Sequence, residues 1–596
     1  MIINLRVTTL LFFVLVLALA QSDRSVAISP DSWPERDGYL GLEASGPRVP
    51  GLGPEQTLKP GKAMIAGATN PFAVHAGLEM LKAGGSAADA ALTTVLAQVA
   101  LNAGGAVSYA GIFTAVYYDA SSKKVYSLNA SWNTPKDETD PRSIPTQGTA
   151  SGRTALVPGF MAGVQALHDR FGRRPFSELF EPSIWLAQKG FPLPSIIDAW
   201  RRAQPASIER LDDTRRIFQN QAGEYYREGD IFQQHQLADT LKRVASDGAT
   251  YMYQGDWAHH FVDAVQREGG KITLEDMAGY KVLWTEPTRA TYHGYEVTSL
   301  GLPSLGGLQT LGALKLAEAD SVTEHGDYRR SPASLYSLIQ IARLQAVLAH
   351  APAEQLRTIF PGFDPAPESR FSAATTKRLL TILKDRNWYT NALKKIPIGK
   401  PASNHSSAVV AVDEQGNVAA VLHSCNCQLW GSTGIFVDGV SIPDAATFQQ
   451  DAIERAGPGR RLPETTNPVI VLKNGEPVLA SSTIGSALHE VTLQNLINVL
   501  DLGMDPQRAV NQPNFQGPFW GVELAGPAKS QPEKEVLDRG FRDQVINGVK
   551  SRGQAIYEGV NGYSQSGYWT GVLIDPETRA LSGGSSRKLN SFVEGY

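Results

Sequence analysis

The stretch His405–Asn426, HSSAVVAVDEQGNVAAVLHSCN, decides how the rest of the chain is read. SAVVAVD is rich in valine and free of proline and glycine, as strands buried on both faces are. DEQGN supplies Asp, Gly and Asn for a turn, and VAAVLHSC returns as a second strand. A buried β-hairpin is therefore expected. Ser406 and Ser407 stand at its mouth, where a pair of serines ordinarily does no more than begin a strand. Whether one of these hydroxyls does chemistry depends on the rest of the chain.

At 596 residues, 42% hydrophobic and 19% charged, the composition is that of a globular protein with room for a large core. A net charge of −4 gives no basis for a nucleic-acid partner. The N-terminus carries Arg6, an apolar run from Leu10 to Leu19, and an ALA sequence ending at Ala20. Residues 1–20 thus read as a secretory signal, and the run is too short for a comfortable membrane span. A secreted protein with no membrane attachment after signal removal is expected. The two cysteines, Cys425 and Cys427, would close a strained ring if bridged, so free, buried thiols are expected. Neither zinc nor haem spacing is present. Asn129 and Asn404 head N-x-S sequons and are candidate glycosylation sites.

Residues 21–60 are rich in Pro and Gly and read as an irregular lead-in. NPFAVHAGLEMLKAGG has the period of an amphipathic helix closed by Gly84–Gly85, and SAADAALTTVLAQVAL that of a second helix. IFTAVYYDASSKKVYSLNA and PVIVLKNGEPVLASS each read as two strands about a turn, the latter at Asn474–Gly475. The middle of the chain is mostly helical, and HEVTLQNLINVLDLGM is a later helix followed by short strands. Strands at both ends with helices between them point to a layered α/β or α+β body. No G-x-S-x-G elbow, phosphate loop or HExxH occurs. His259–His260 is an adjacent pair in a helical stretch and reads as surface.

Several segments together resemble the γ-glutamyltransferases (glutathione hydrolases) of the N-terminal-nucleophile superfamily. They are ALVPGFMAGVQALHDRFGRRPFSELFEPSIWLAQKGFPL from Ala155, YMYQGDWA with GGKITLEDMAGY between Tyr251 and Tyr280, and PSLGG at 303–307. The resemblance implies an α+β four-layer αββα sandwich and a precursor that cuts itself between His405 and Ser406. Residues 61–405 would form a large subunit and 406–596 a small one, intertwined in one body. Ser406 falls on the family's nucleophilic Thr; Ser403, in a shifted register, is the alternative. A nucleophile freed at a chain start can use its own α-amine, with an ordinary pKa near ~8, as general base. The implied partners are a small-molecule amide, γ-glutamyl or other acyl, and water or an amine acceptor, with no metal or organic cofactor.

By the same resemblance Ser424 supports the nucleophile and Asn426 touches substrate, while Gly485 and Ser486 supply oxyanion-hole N–H groups. Other positions depart from the family. Its carboxylate-clamping arginine aligns with Ser131, and its paired serines with Glu464 and Thr465. Its acidic residue aligns near Ile442, with Asp438 or Asp444 able to substitute, and its glycine loop has become AVSYAGIF at 106–113. An Arg–carboxylate fork is how a zwitterionic γ-glutamyl group would be held, so the substrate clamp reads as rebuilt. Two other readings stay open: a catalytically inactive secreted scaffold, and a conventional serine hydrolase using His423 or His489.

Overall fold

The computed structural model describes residues 28–45, 62–146, 148–394, 406–427, 429–517, 535–538, 540–558, 567–586 and 589–596. Thirteen strands build the two large sheets. They are β1 (Met64–Gly67), β2 (Ile112–Asp119), β3 (Lys124–Ala130), β4 (Leu283–Thr285), β5 (Thr288–Tyr292), β6 (Tyr295–Ser299), β7 (Ser406–Val412), β8 (Val418–Ser424), β9 (Val469–Lys473), β10 (Glu476–Ile484), β11 (Tyr568–Ile574), β12 (Leu581–Ser585) and β13 (Phe592–Gly595). The first sheet runs β13-β1-β7-β8-β2-β3-β4 and the second β12-β11-β10-β9-β6-β5. Every neighbouring pair in both is antiparallel.

Strand alternation divides the core into layers. Between the sheets, Val410, Val412, Val418, Ala420, Met64 and Val116 meet Ile470, Leu472, Ala480, Val572 and Ile574. On the opposite face of the first sheet, Val409, Ala411, Ala419 and Val421 pack with helices α1 (Pro71–Lys82) and α2 (Ala87–Leu101). Beyond the second sheet, Val469, Val471, Leu479 and Trp569 pack with α3 (Gly306–Ala319), α4 (Pro332–His350) and α5 (Leu488–Leu500). This is the expected αββα sandwich. No described helix is long and apolar enough to cross a membrane.

Local chemistry explains the layer behind the hairpin. α2 opens on a capping box, with Ser86 Oγ accepting from Asp89 N at 3.1 Å and Asp89 Oδ2 accepting from Ser86 N at 2.8 Å. α1 is buried on nearly every side rather than on one stripe, because Trp33, Tyr39 and Glu594 cover the flank bearing His75 while α2 packs on another. Gly77 allows that contact, since a Cβ there would lie 2.2 Å from Thr94 Oγ1.

The lead-in also departs from expectation, for Arg36–Ala44 is a helix. Its two glycines give it little propensity of its own; tertiary contacts hold it. The Glu43 carboxylate accepts from Asn70 Nδ2 and Phe72 N, and Tyr39 donates to Glu594 in β13.

In the outer layer, Glu490 on α5 is buried. Burial, aided by the neighbouring Glu535 carboxylate, pushes its pKa up from 4.5 to about 8. The folded chain therefore holds this proton more tightly than the unfolded chain. The resulting stability is fully present below about pH 4.5 and is lost as pH rises through about 8. Glu490→Gln removes the titration, so its melting temperature should exceed that of the parent by about 2–4 °C at pH 8.5 and match it at pH 4. Equal pH profiles in thermal melts would contradict this.

Candidate active site

β7 and β8 form the expected hairpin, and its turn fixes the register. Asp413 Oδ1 accepts from Gln415 N and Asn417 N, both at 3.0 Å, and its Oδ2 takes Ala87 N at 3.0 Å and Arg173 at 2.6 Å. Gly416 supplies the positive φ of 84°. Ser406 thereby pairs with Ser424, and Ser407 with His423.

The two serines at the mouth are not equivalent. Ser407 points with Val409 toward the helices, and its Oγ lies 2.8 Å from Thr69 Oγ1. Ser406 has the parity of Ala408 and Val410 and faces the space between the sheets. There its hydroxyl donates to Ser424 Oγ at 2.9 Å. Ser424 Oγ also accepts from Asn426 N at 2.9 Å and donates to Asn426 Oδ1 at 3.0 Å. Asn426 has φ of 46°, a conformation that asparagine tolerates and that turns its amide back onto Ser424.

Asn426 Nδ2 continues the chain to Glu464 Oε2 at 3.1 Å, and Ser131 Oγ donates to the same oxygen at 3.3 Å. Glu464 Oε1 accepts from Thr465 N at 2.7 Å and Thr466 N at 3.0 Å. Glu464 is only 4% exposed. Burial raises its pKa above the usual carboxylate value, while these four donors pull it down. Ser131, Asn426, Glu464 and Thr465, expected from sequence to bind substrate or to replace groups that do, thus converge on Ser406.

Opposite the hairpin, Ile484 packs in one small cluster with Ala408, Leu422 and Ala68. Gly485 and Ser486, which follow it, therefore sit across the gap from Ser406. Gly485 has φ of 90°, a conformation that favours glycine. Ser486 Oγ is buried with no partner among the described residues. Behind the hairpin, the 106–113 loop is packed so closely that a Cβ on Gly111 would lie 2.4 Å from the Ser424 carbonyl oxygen. Both cysteines are free and buried, with Cys425 Sγ donating to Ala106 O at 3.1 Å.

Two expected sites are corrected. Asp438 does not join this network; it sits at a surface turn, where its Oδ2 meets His260 Nδ1 at 2.8 Å. Asn129 is fully buried on β3, and its Nδ2 donates to Ser304 Oγ at 2.8 Å, so the fold leaves no room for a glycan on it. Ser403, Asn404 and His405 lie outside the described residues, as do residues 1–20, where a signal was expected. Asp444, the alternative acid, is buried and accepts from Ser432 N at 2.8 Å.

Among the described contacts, no conventional triad is formed. His423 faces the helical layer with Ser407, its Nε2 is 2.9 Å from Gln98 Oε1, and burial pushes its pKa down to about 3. His489 Nδ1 lies 3.2 Å from Thr310 Oγ1 and 3.3 Å from Asn467 Nδ2.

Sequence reasoning missed Arg461. Its guanidinium donates to Asn133 Oδ1 at 2.7 Å, to Asn129 O at 2.6 Å and to Lys281 O at 2.6 Å, and lies over the Tyr280 ring. It ties the segment bearing Ser131 to the segment bearing Glu464. The only signal was its place in GRRLPETT, where nothing separates it from Arg460.

A family model described as gamma-glutamyltranspeptidase matches residues 73–595. The chain belongs to the γ-glutamyltranspeptidase family. The glutathione hydrolase proenzyme of Escherichia coli (strain K12) is 24% identical over 563 residues, covering 90% of this chain and 92% of that protein. The capsule biosynthesis protein CapD proenzyme of Bacillus anthracis is 27% identical over 433 residues, 71% of this chain and 73% of that protein. Among solved structures, the cephalosporin acylase from Bacillus halodurans aligns with a TM-score of 0.73 at 21% identity, covering 92% of this chain and 98% of that one. Membership makes this γ-glutamyltranspeptidase relative an amidohydrolase or acyltransferase with the N-terminal-nucleophile fold.

Within that fold, Ser424 is the sole hydroxyl that the described contacts place on Ser406. Ser424→Ala should lower kcat on an acyl 4-nitroanilide by about 10- to 100-fold while leaving the melting temperature within a few degrees. Ser424→Thr, which keeps the hydroxyl, should retain most of the rate. A Ser424→Ala enzyme with parental kcat would contradict this role.

Proposed function

We propose that the chain is a self-processing acyl-amide hydrolase or acyltransferase, exported by its N-terminal signal, whose nucleophile is Ser406. The observation that carries this reading is the 2.9 Å contact between Ser406 Oγ and Ser424 Oγ at the first residue of a central strand. In the precursor, Ser406 Oγ attacks the His405 carbonyl carbon, the peptide C–N bond breaks, and the acyl group moves to oxygen. Water then hydrolyses that ester. His405 leaves as a carboxylate and Ser406 gains a free α-amine. The products are a large portion ending at His405 and a small portion, 406–596. The family relatives named proenzymes support such a cut.

In turnover, the α-amine takes the Ser406 hydroxyl proton as Oγ attacks the substrate amide carbon. In this reading the N–H groups of Gly485 and Ser486 receive the oxyanion. Collapse expels the amine with the proton, and water or a second amine resolves the acyl-enzyme. The substrate class is a γ-glutamyl or other acyl amide, and Asn426 with Glu464 and Thr465 lines its acyl end. The retained hydroxyl pair makes the inactive scaffold the less favoured reading.

A serine-directed sulfonyl fluoride tests the nucleophile. Its label should fall on the peptide that begins at Ser406. Ser406→Ala should be neither cut nor labelled, and Ser406→Thr should be cut and keep activity within about tenfold. A label elsewhere, or parental turnover by Ser406→Ala, would overturn the proposal.

A further inference from the structure

Glu464 gives the acyl end of the site an unusual property. A carboxylate has room for about four hydrogen bonds, and all four are filled from within the chain. Thr465 N and Thr466 N serve one oxygen, and Asn426 Nδ2 and Ser131 Oγ serve the other. Asn426 and Ser131 are the side-chain donors nearest the nucleophile's own chain of hydrogen bonds. The Ser131 hydroxyl and one of the two Asn426 Nδ2–H donors are already spent on an internal carboxyl group.

No described Lys or Arg bonds Ser131, Asn426 or Glu464. Arg461, three residues before Glu464, gives its guanidinium to the oxygens of Asn129, Asn133 and Lys281. The arrangement is rigidly supported. Leu305 N donates to Glu464 O at 2.6 Å, and a Cβ on Gly306 would come within 2.0 Å of Thr466 O. Thr466 Oγ1 is held 2.9 Å from Thr114 Oγ1 on β2. The carboxyl group cannot swing away without breaking a packed loop. A second carboxylate arriving at Asn426 and Ser131 would find the Ser131 donor and one Asn426 N–H taken, a like charge opposite, and no described Lys or Arg bonded there to balance the pair.

We infer that Glu464 is a specificity-determining residue that turns the site against acyl groups with a carboxylate at this end, in favour of amides whose acyl part is neutral or carries an ammonium group there. This rests on the proposed acylase reading and narrows it, for it places γ-glutamyl amides with a free α-carboxylate among the poor substrates.

The test uses a matched pair, the γ-(4-nitroanilide) of glutamic acid and the same compound with its α-carboxylate converted to the carboxamide. The matured protein should show kcat/KM at least about tenfold higher for the carboxamide. Glu464→Ser should compress or reverse that ratio at least about tenfold, chiefly through KM, by freeing Asn426 and Ser131 and removing the charge. Glu464→Gln, which keeps the size, should move the ratio in the same direction, and melting curves check that both variants fold. A parental preference for the carboxylate, or a ratio unchanged in both folded variants, would overturn the inference.

If the chain stays uncut and turns over neither anilide, the acylase reading fails, and calorimetry on the purified chain decides the inference separately. Isoglutamine should then bind at least about tenfold tighter than glutamate, with the difference lost in Glu464→Ser. Equal binding, tighter glutamate, or no binding of either would overturn it.

Discussion

The alternation of side chains along Ser406–Val412 is the constraint on which the rest depends. One parity, Ser406, Ala408, Val410 and Val412, fills the space between the sheets; the other, Ser407, Val409 and Ala411, meets the helices. A slip of one residue would exchange the two sets, bury Ser406 against α2, and present Ser407 to the gap. Asp413 guards against the slip by gathering backbone donors from its own turn and from the start of α2. The chemistry at the strand mouth is thus set by a carboxylate at the far end of the hairpin. It is also set by how well valines pack on both faces.

From that strand the site is assembled out of segments far apart in sequence. The 106–113 loop presses against the Ser424 carbonyl, the end of β3 brings Ser131, and the 461–466 segment brings Glu464. Burying Glu464 costs free energy, which four hydrogen bonds offset. Arg461 is half-buried, with its charge spread over neutral oxygens and a tyrosine ring, and partial burial lowers its pKa. These two groups hold opposite ends of one short loop. The γ-glutamyltranspeptidase fold supplies the position of Ser406, while this chain's own side chains shape what surrounds it.

Much of this was legible in the sequence. Turn chemistry at Asp413–Asn417 and Asn474–Gly475 marked the hairpins, and the run SAADAALTTVLAQVAL marked α2. Ser406, Ser424, Asn426 and Glu464 were named in advance, through resemblance rather than through periodicity. What escaped was information held in tertiary contacts. The helix Arg36–Ala44 has weak propensity and exists because Glu43 and Tyr39 find partners elsewhere in the chain. A sequon does not reveal that Asn129 lies in an inner strand, nor does an acidic residue near the aligned position reveal that Asp438 sits on a surface turn. Arg461 was invisible because its acceptors are mostly backbone and amide oxygens, which carry no sequence signature.

The central claim is that Ser406 becomes a chain start. N-terminal sequencing of every band of the purified protein on a denaturing gel tests it most directly. The account requires a fragment that begins Ser406-Ser407-Ala408-Val409 and runs to Tyr596. A single uncut chain in folded, pure protein, or a fragment opening at Ser403, would contradict it.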